Sequence, residues 1–599
     1  MNWKKTAVFL TLVFCLCMLS AGSAFAEGSV FAAIDMTKWN YNADDDVYYQ
    51  IGIPYCASPA DESYETLAVF VPGTYLNGSD NGDGTWSCTL SDASLNGYTA
   101  ATAPIVMPIN TPGYSAMAAL TDYSGSVVSY TDAGFVYVHA GCRGRDAGAP
   151  AGVTDLKAAV RFLRFCDDSM PGDAERIFTF GMSGGGAQSA LMGVTGDSEL
   201  YTPYLEQIGA VMDQSDAVYG SMCWCPITNL DTADESYEWM MGCTRSGLSD
   251  EEQAISDALA NAWADYVNSA GIKAPDGTIL TLTQSENGIW QSGSYYELVK
   301  SEIERSLNNF LFDTSFPYDA SASSGKGGFG GHGGMGGPGG MGGPGGGRPD
   351  GGNIPEGFGE FPEGFGEFPG SGETGGNIQI EDLDDITRNE TTAGLNLSGT
   401  YETAEDYIAA LNANGEWVSY DPETNSAVIT SVEAFVKAFK SASKNLGAFD
   451  QLDGGQGENT LFGYADGSGA HFDSILAGIL SDLGSSYAER FMEDLRRTDS
   501  AGYTAQQRLN MYTPLYYLLE SSEGFGSSTV ARHWRIRSGI AQSDTALTTE
   551  LNLALALENV ARVDSVDFES VWAQKHVEAE RSGSSSGNFI AWVNKCMDS

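Results

Sequence analysis

Arg176-Ile-Phe-Thr-Phe-Gly-Met-Ser-Gly-Gly-Gly-Ala-Gln-Ser-Ala-Leu-Met192 is the stretch from which the rest of the chain is read. Its first five residues form an apolar, β-forming run of the length that suits a strand buried on both faces. Gly181-Met182-Ser183-Gly184-Gly185 follows, a G-x-S-x-G pattern, and residues 187–192 are helix-like. The glycines permit a tight strand-to-helix turn that lifts the serine side chain out of the sheet. The same turn points the Gly184 N–H, at a helix N-terminus, toward a developing oxyanion. In a chain with 74 Gly the pattern alone carries little weight. Its context carries more.

Upstream, residues 67–72 (Leu-Ala-Val-Phe-Val-Pro) and 134–139 (Gly-Phe-Val-Tyr-Val-His) are short apolar β-formers. They are read, like 176–180, as strands buried in a parallel sheet. In residues 154–164, Leu156, Ala159, Val160 and Leu163 recur at helical spacing, with Thr154 or Asp155 to cap the start. Strand, helix, strand is a βαβ unit. The same alternation returns near the C-terminus. Residues 533–537 read as a strand, 545–560 as a helix, 566–572 as a strand and 588–595 as a helix. The intervening chain reads as mainly helical, for example over 250–266, 432–444 and 474–495.

These pieces predict an α/β fold in which one sheet domain is split in sequence. Residues 27–230 and 526–599 form its two parts, and 231–525 is an inserted, mainly helical cap. Within the cap, 322–376 is low-complexity: Glu-Gly-Phe-Gly-Glu-Phe-Pro occurs at 356–362 and again at 363–369. So little apolar mass with so much glycine predicts a disordered loop.

Residues 1–26 carry two lysines, a short apolar run and Ala24-Phe25-Ala26. This pattern predicts a secretory leader cut near Ala26 and a soluble, exported protein. Eight cysteines remain after it. An exported chain allows them to form disulfides, with pairing unreadable from sequence. Cys223 and Cys225 lack the His/Cys company of a metal site. The 599 residues hold 79 Asp+Glu against 30 Lys+Arg, a formal charge of −49. That balance argues against nucleic acid, anionic lipid or anionic polysaccharide as partners. No later run is long enough to span a membrane.

A serine hydroxyl needs a base within reach, and the base needs an orienting group. Such a fold sets the chain order serine, acid, histidine. His576, four residues beyond Trp572, is the expected base. His139, His471 and His533 are the other candidates; His332 falls in the low-complexity stretch. Asp544 is the first carboxylate after the strand ending near Arg537. It is either the orienting acid or the N-cap of the following helix. A second oxyanion donor is expected after the 67–72 strand, at Gly73 or Thr74.

At this point the residues resemble a known family. Gly-Met-Ser-Gly-Gly (181–185), Lys444-Asn-Leu-Gly-Ala-Phe-Asp-Gln-Leu-Asp453, Glu458-Asn-Thr-Leu-Phe-Gly463, His533-Trp-Arg-Ile-Arg537, Asp544-Thr545 and Trp572-Ala-Gln-Lys-His576 are similar to segments of bacterial tannases. The wider group comprises tannase/feruloyl-esterase-like α/β-hydrolases. The resemblance implies an α/β-hydrolase fold and a Ser-Asp-His esterase acting on small esters of phenolic acids such as gallate. It also implies that Lys444 and Glu458, from the cap, hold ring hydroxyls. The alternative is a solvated helix end at Lys444 and a turn cap at Glu458. The family pattern places the triad acid three residues after Gly539, where this chain has Gln542. Asp544 as orienter would leave Gln542 among the substrate-side groups; otherwise the triad is incomplete.

No cofactor or metal is expected. Residues 79–84 (Ser-Asp-Asn-Gly-Asp-Gly) hint at a cation loop, but the position of its last ligand is Leu90, and a plain turn is expected. The leading reading is an exported carboxylic-ester hydrolase. Other substrates of the same triad (acyl-sugars, acetyl esters, peptides) and a catalytically inactive binding module are the alternatives.

Overall fold

The computed structural model describes residues 31, 33–285, 289–320 and 397–598. The predicted leader at 1–26 and the glycine-rich stretch at 322–376 lie outside the described residues. Among those described, a nine-stranded sheet forms the centre of the molecule. Its strands are β1 (Asn40–Asn42), β2 (Val47–Pro54), β3 (Thr66–Pro72), β4 (Pro104–Ile109), β5 (Val136–Ala140), β6 (Asp173–Met182), β7 (Gly220–Trp224), β8 (His533–Gly539) and β9 (Ser565–Val571). The spatial order is β1-β2-β3-β5-β4-β6-β7-β8-β9. From β5 to β9 every pairing is parallel. The 67–72 run is a strand, but it runs antiparallel to β5, with Leu67 opposite Ala140 and Phe70 opposite Tyr137.

This is an α/β fold, as expected. Helix α1 (Ala151–Cys166) links β5 to β6, and β4 lies between those two strands. Strand β6 shows how the sheet is sandwiched, because successive side chains leave by opposite faces. Phe178 and Phe180 face Trp592 and Phe589 of the Ser585–Met597 helix, with ring centroids 5.6 and 4.3 Å apart. Ile177 belongs to the core on the other face. Thr179 is also on that face, where its Oγ1 meets Ser189 Oγ of α2 (Gly184–Val194) at 3.0 Å. Buried charge pins α1: Lys157 Nζ donates to Asp216 Oδ1 and to Thr195 O, both at 2.6 Å, and Arg161 Nε donates to Asp216 Oδ2 at 2.7 Å.

Strands β7 and β8 pair from Gly220–His533 to Trp224–Arg537, so the two distant parts of the chain close one sheet. The connection between them carries helices such as Asp250–Ala270, Ser294–Asp313 and Ser474–Leu483. It also contains a hairpin, Val418–Asp421 with Ser426–Ile429, inside the region expected to be mainly helical. Two expected helices are shorter than their sequence patterns. The first spans Val432–Phe439, because Lys440 is extended and its ammonium turns inward. The 474–495 run breaks at Gly484, which is left-handed at φ +66, and resumes at Ala488–Asp494.

The eight described cysteines are free thiols rather than disulfide partners, seven of them buried. Residues 81–85 turn between two short strands, Leu76–Asp80 and Trp86–Leu90, with Asp80 and Asp83 accepting from the N–H groups of Gly82 and Thr85. Among the described residues no helix is long and apolar enough to cross a membrane.

Candidate active site

Ser183 sits between the end of β6 and the start of α2 with φ +59 and ψ −123. This is a strained conformation for a residue with a side chain, held by tertiary contacts. Its N–H donates to Trp224 O at 2.9 Å, and its carbonyl accepts from Ala187 N at 2.9 Å. The following glycines are required by close approach. A Cβ on Gly185 would lie 2.0 Å from Ile109 O. One on Gly184 would lie 2.5 Å from both Thr111 O and Tyr114 N. The loop after β4 is therefore packed directly on the serine turn.

That packing corrects the expectation at Gly73 and Thr74. Both follow β3, which runs against the parallel strands, so they lie at the opposite end of the sheet from Ser183. Two strands, β5 and β4, also separate β3 from β6. Gly73 N donates instead to Asp46 O, at 2.6 Å. The backbone beside the Gly184 N–H is that of residues 110–114. Arg145 steadies it by donating to Gly113 O at 2.9 Å.

His576 lies in the loop after β9 and lines one cleft with Ser183, Asn110, Pro112, Met182 and Trp224. Two adjacent segments bring it there. Gly539 ends β8 where a Cβ would meet Lys575 O at 1.9 Å, and Ala541 N donates to Gln574 O at 2.9 Å. The turn 539–542 is thereby zipped onto the histidine loop. The result is Gln542 Oε1 2.7 Å from His576 Nδ1. The Asp544 carboxylate stands farther off, its Oδ2 3.6 Å from the same nitrogen. Gln542 is therefore on the imidazole, not among substrate-side groups, and it rather than Asp544 makes the short contact. Asp544 does not cap the next helix either: that helix, Leu547–Glu558, begins after Ala546 and has no side-chain cap.

Gln542 Nε2 donates to Ser538 Oγ at 2.7 Å and to Glu550 Oε1 at 2.8 Å. Burial pushes the Glu550 carboxyl up to about 7, while Thr545, its own backbone N–H, Lys440 and Gln542 pull the other way. The buried Lys440 ammonium donates to the Gln542 carbonyl. Glu550, Lys440 and Ser538 carry no sequence signal of their own; their convergence depends on distant segments meeting.

The structure brings Lys444 and Glu458 to two flanks of this arrangement, though neither lines the cleft containing Ser183. Lys444 is half-buried with its ammonium 3.8 Å over the Phe449 ring. Its backbone N–H donates to Tyr237 Oη, which donates to Ser543 O, beside Gln542 and Asp544. Glu458 is buried on the helix Gly457–Phe462, which packs on the 112–114 and 145–147 turns. The other described histidines are elsewhere. His139 meets Ala118 O, His533 meets Ser565 Oγ, and His471 meets Asp450 while stacking on Phe491.

Comparison with known proteins agrees with this geometry. The BD-FAE family model matches residues 92–266. The chain is similar to a tannin acyl hydrolase from Lactobacillus plantarum at 25% identity, covering 95% of this chain and 99% of that one with a TM-score of 0.61. A tannin acyl hydrolase solved in complex with ethyl gallate is 26% identical over 92% of this chain and 94% of that one, TM-score 0.60. The tannase of Fusobacterium nucleatum, 24% identical, shares the fold over 92% of this chain and 95% of that one, TM-score 0.61. No curated protein matches the chain.

Proposed function

We propose that this chain, a tannase-like α/β-hydrolase and serine-type carboxylic-ester hydrolase, is an exported enzyme that cleaves small esters of phenolic acids. The observation that carries the reading is a serine on a strained strand-to-helix turn sharing one cleft with an imidazole whose far nitrogen is held in place. Ser183 Oγ attacks the ester carbonyl while His576 Nε2 takes its proton. The developing oxyanion is met by the Gly184 N–H and by backbone of the 110–114 loop. His576 then protonates the departing alcohol, leaving an acyl-Ser183 that water hydrolyses by the reverse use of the same base. Gln542 accepts the Nδ1–H and fixes the tautomer. Asp544 is thereby left to the substrate side with Lys444 and Glu458. Phenol hydroxyls donate hydrogen bonds and ionise in part, so carboxylates and an ammonium suit them.

In this reading 27–230 and 526–599 build the catalytic domain, 231–525 caps it, and 1–26 directs export. Ser183→Ala abolishes hydrolysis of p-nitrophenyl acetate and methyl gallate; a variant that keeps the wild-type rate rejects the assignment. Comparing methyl gallate, methyl ferulate, acetylated xylooligosaccharides and a chromogenic peptide fixes the acyl group. One observation favours a second reading, a catalytically inactive phenol-binding protein: the group on His576 Nδ1 is uncharged. A fluorophosphonate that fails to label Ser183 would decide for it.

A further inference from the structure

Gln542 is a neutral residue held between two ionisable ones. Its Oε1 faces His576 Nδ1 at 2.7 Å and its Nε2 faces Glu550 Oε1 at 2.8 Å. An amide is not symmetric, since its nitrogen only donates and its oxygen only accepts. Glu550 Oε1 already accepts from Thr545 Oγ1 at 2.8 Å and from Ser538 Oγ at 3.2 Å. Donors converging on one oxygen favour the ionised carboxylate, and at about pH 8 the carboxyl, raised by burial to about 7, has lost its proton. A carboxylate there excludes the flipped amide, because two oxygens would face each other. With the amide so fixed, Oε1 points at the imidazole, and His576 must carry its proton on Nδ1. Its Nε2 is then the basic atom, as proton transfer from Ser183 requires.

We propose that Glu550 is the displaced acid of this site: a positioning residue that sets the His576 tautomer and supports the imidazolium through Gln542. The proposal rests on the reading of Ser183 as nucleophile and His576 as base. Glu550 is fully buried, in the first turn of the helix Leu547–Glu558, where the helix N-terminus also favours a negative charge. The charged and titratable groups facing it are Lys440, Cys225 and, through Gln542, His576, with Asp544 Oδ2 3.6 Å from the same imidazole nitrogen that Gln542 contacts. Asp544 is the rival, and a longer arm separates it from Nδ1.

The test uses the whole exported chain with p-nitrophenyl acetate at about pH 8. Glu550→Gln keeps shape and removes charge; it should lower kcat by ~10²-fold and leave KM within twofold. The double variant Q542E/E550Q swaps acid and amide, placing a carboxylate on Nδ1 and an amide behind it. It should regain at least tenfold over E550Q, which a merely structural glutamate would not permit. Asp544→Asn should change kcat less than E550Q does. Nitrogen-15 histidine NMR of the wild-type protein gives a readout independent of any variant and should show His576 protonated at Nδ1. E550Q with wild-type kcat, a double variant no better than E550Q, or an Nε2–H tautomer would each overturn the proposal. An active Ser183→Ala variant would instead overturn the hydrolase reading beneath it.

Discussion

His576 takes its orientation from an uncharged amide, and the consequences are sharpest at single residues. An imidazole is useful as a base only in one tautomer and one rotamer, both set by the acceptor on Nδ1. Gln542→Leu removes that acceptor with little change in volume. We expect kcat/KM for p-nitrophenyl acetate to fall ~10²- to 10⁴-fold; an unchanged rate would mean that Asp544, at 3.6 Å, does the orienting. Asp544→Asn makes the complementary prediction. If its carboxylate holds a phenol hydroxyl, KM for methyl gallate rises ~10-fold, a loss of about 1.4 kcal/mol, while p-nitrophenyl acetate kinetics barely change. Equal losses on both substrates would put Asp544 back in the catalytic machinery.

At the scale of elements, the site depends on how closely backbone can approach backbone. The serine turn was readable from its glycines, since a strand followed by G-x-S-x-G and helix formers has few other uses. The partner of that turn was not readable. Strand β4, whose loop packs on Ser183, carries Pro104 and Pro108, and proline in a run argues against a central strand. Gly185→Ala would drive a methyl group to 2.0 Å from Ile109 O, and backbone cannot yield cheaply. We expect little folded protein or, where it folds, esterase activity below a tenth of wild type. On the opposite face, Trp592 and Phe589 cover Phe178 and Phe180 of the strand that leads into Ser183. Trp592→Ala should cost about 3–5 kcal/mol in denaturant unfolding. A cost under 1 kcal/mol would show that the C-terminal helix is not part of the core.

At the scale of the whole molecule, buried acids decide how stability responds to pH. Burial raises Asp231 to about 6 and Asp234 to about 7. Each keeps its proton when folded and gives it up when unfolded, across the window between the ordinary carboxylate range and about 7. Their contribution is therefore complete below that window and is lost as pH rises through the folded values. The formal charge of −49 acts in the same direction, since self-repulsion grows as carboxyls ionise. Asp216 has the opposite sign: burial alone would raise it, but Lys157 and Arg161 outweigh burial and hold it below its ordinary value. Its contribution is lost only on strong acidification. We expect Tm to be several degrees higher at about pH 5 than at about pH 8; the reverse order would show that these acids are ionised in the folded protein.

The α/β alternation, the serine turn and the histidine after the last strand were legible in the amino-acid order. Each is a matter of near neighbours: apolar runs, helical spacing, glycines at a turn, a residue four places past a strand. The antiparallel course of β3, which sends Gly73 and Thr74 to the wrong end of the sheet, was not legible, because strand direction and order are settled by packing among distant segments. Nor was the role of Gln542. Read locally, it was a missing acid. It becomes intelligible only when the register of β8 and β9 sets the turn after Gly539 against Lys575, and when the next helix delivers Glu550 behind the amide. Local backbone preference reaches a few residues along the chain, whereas a buried polar group is satisfied by whatever the fold places beside it.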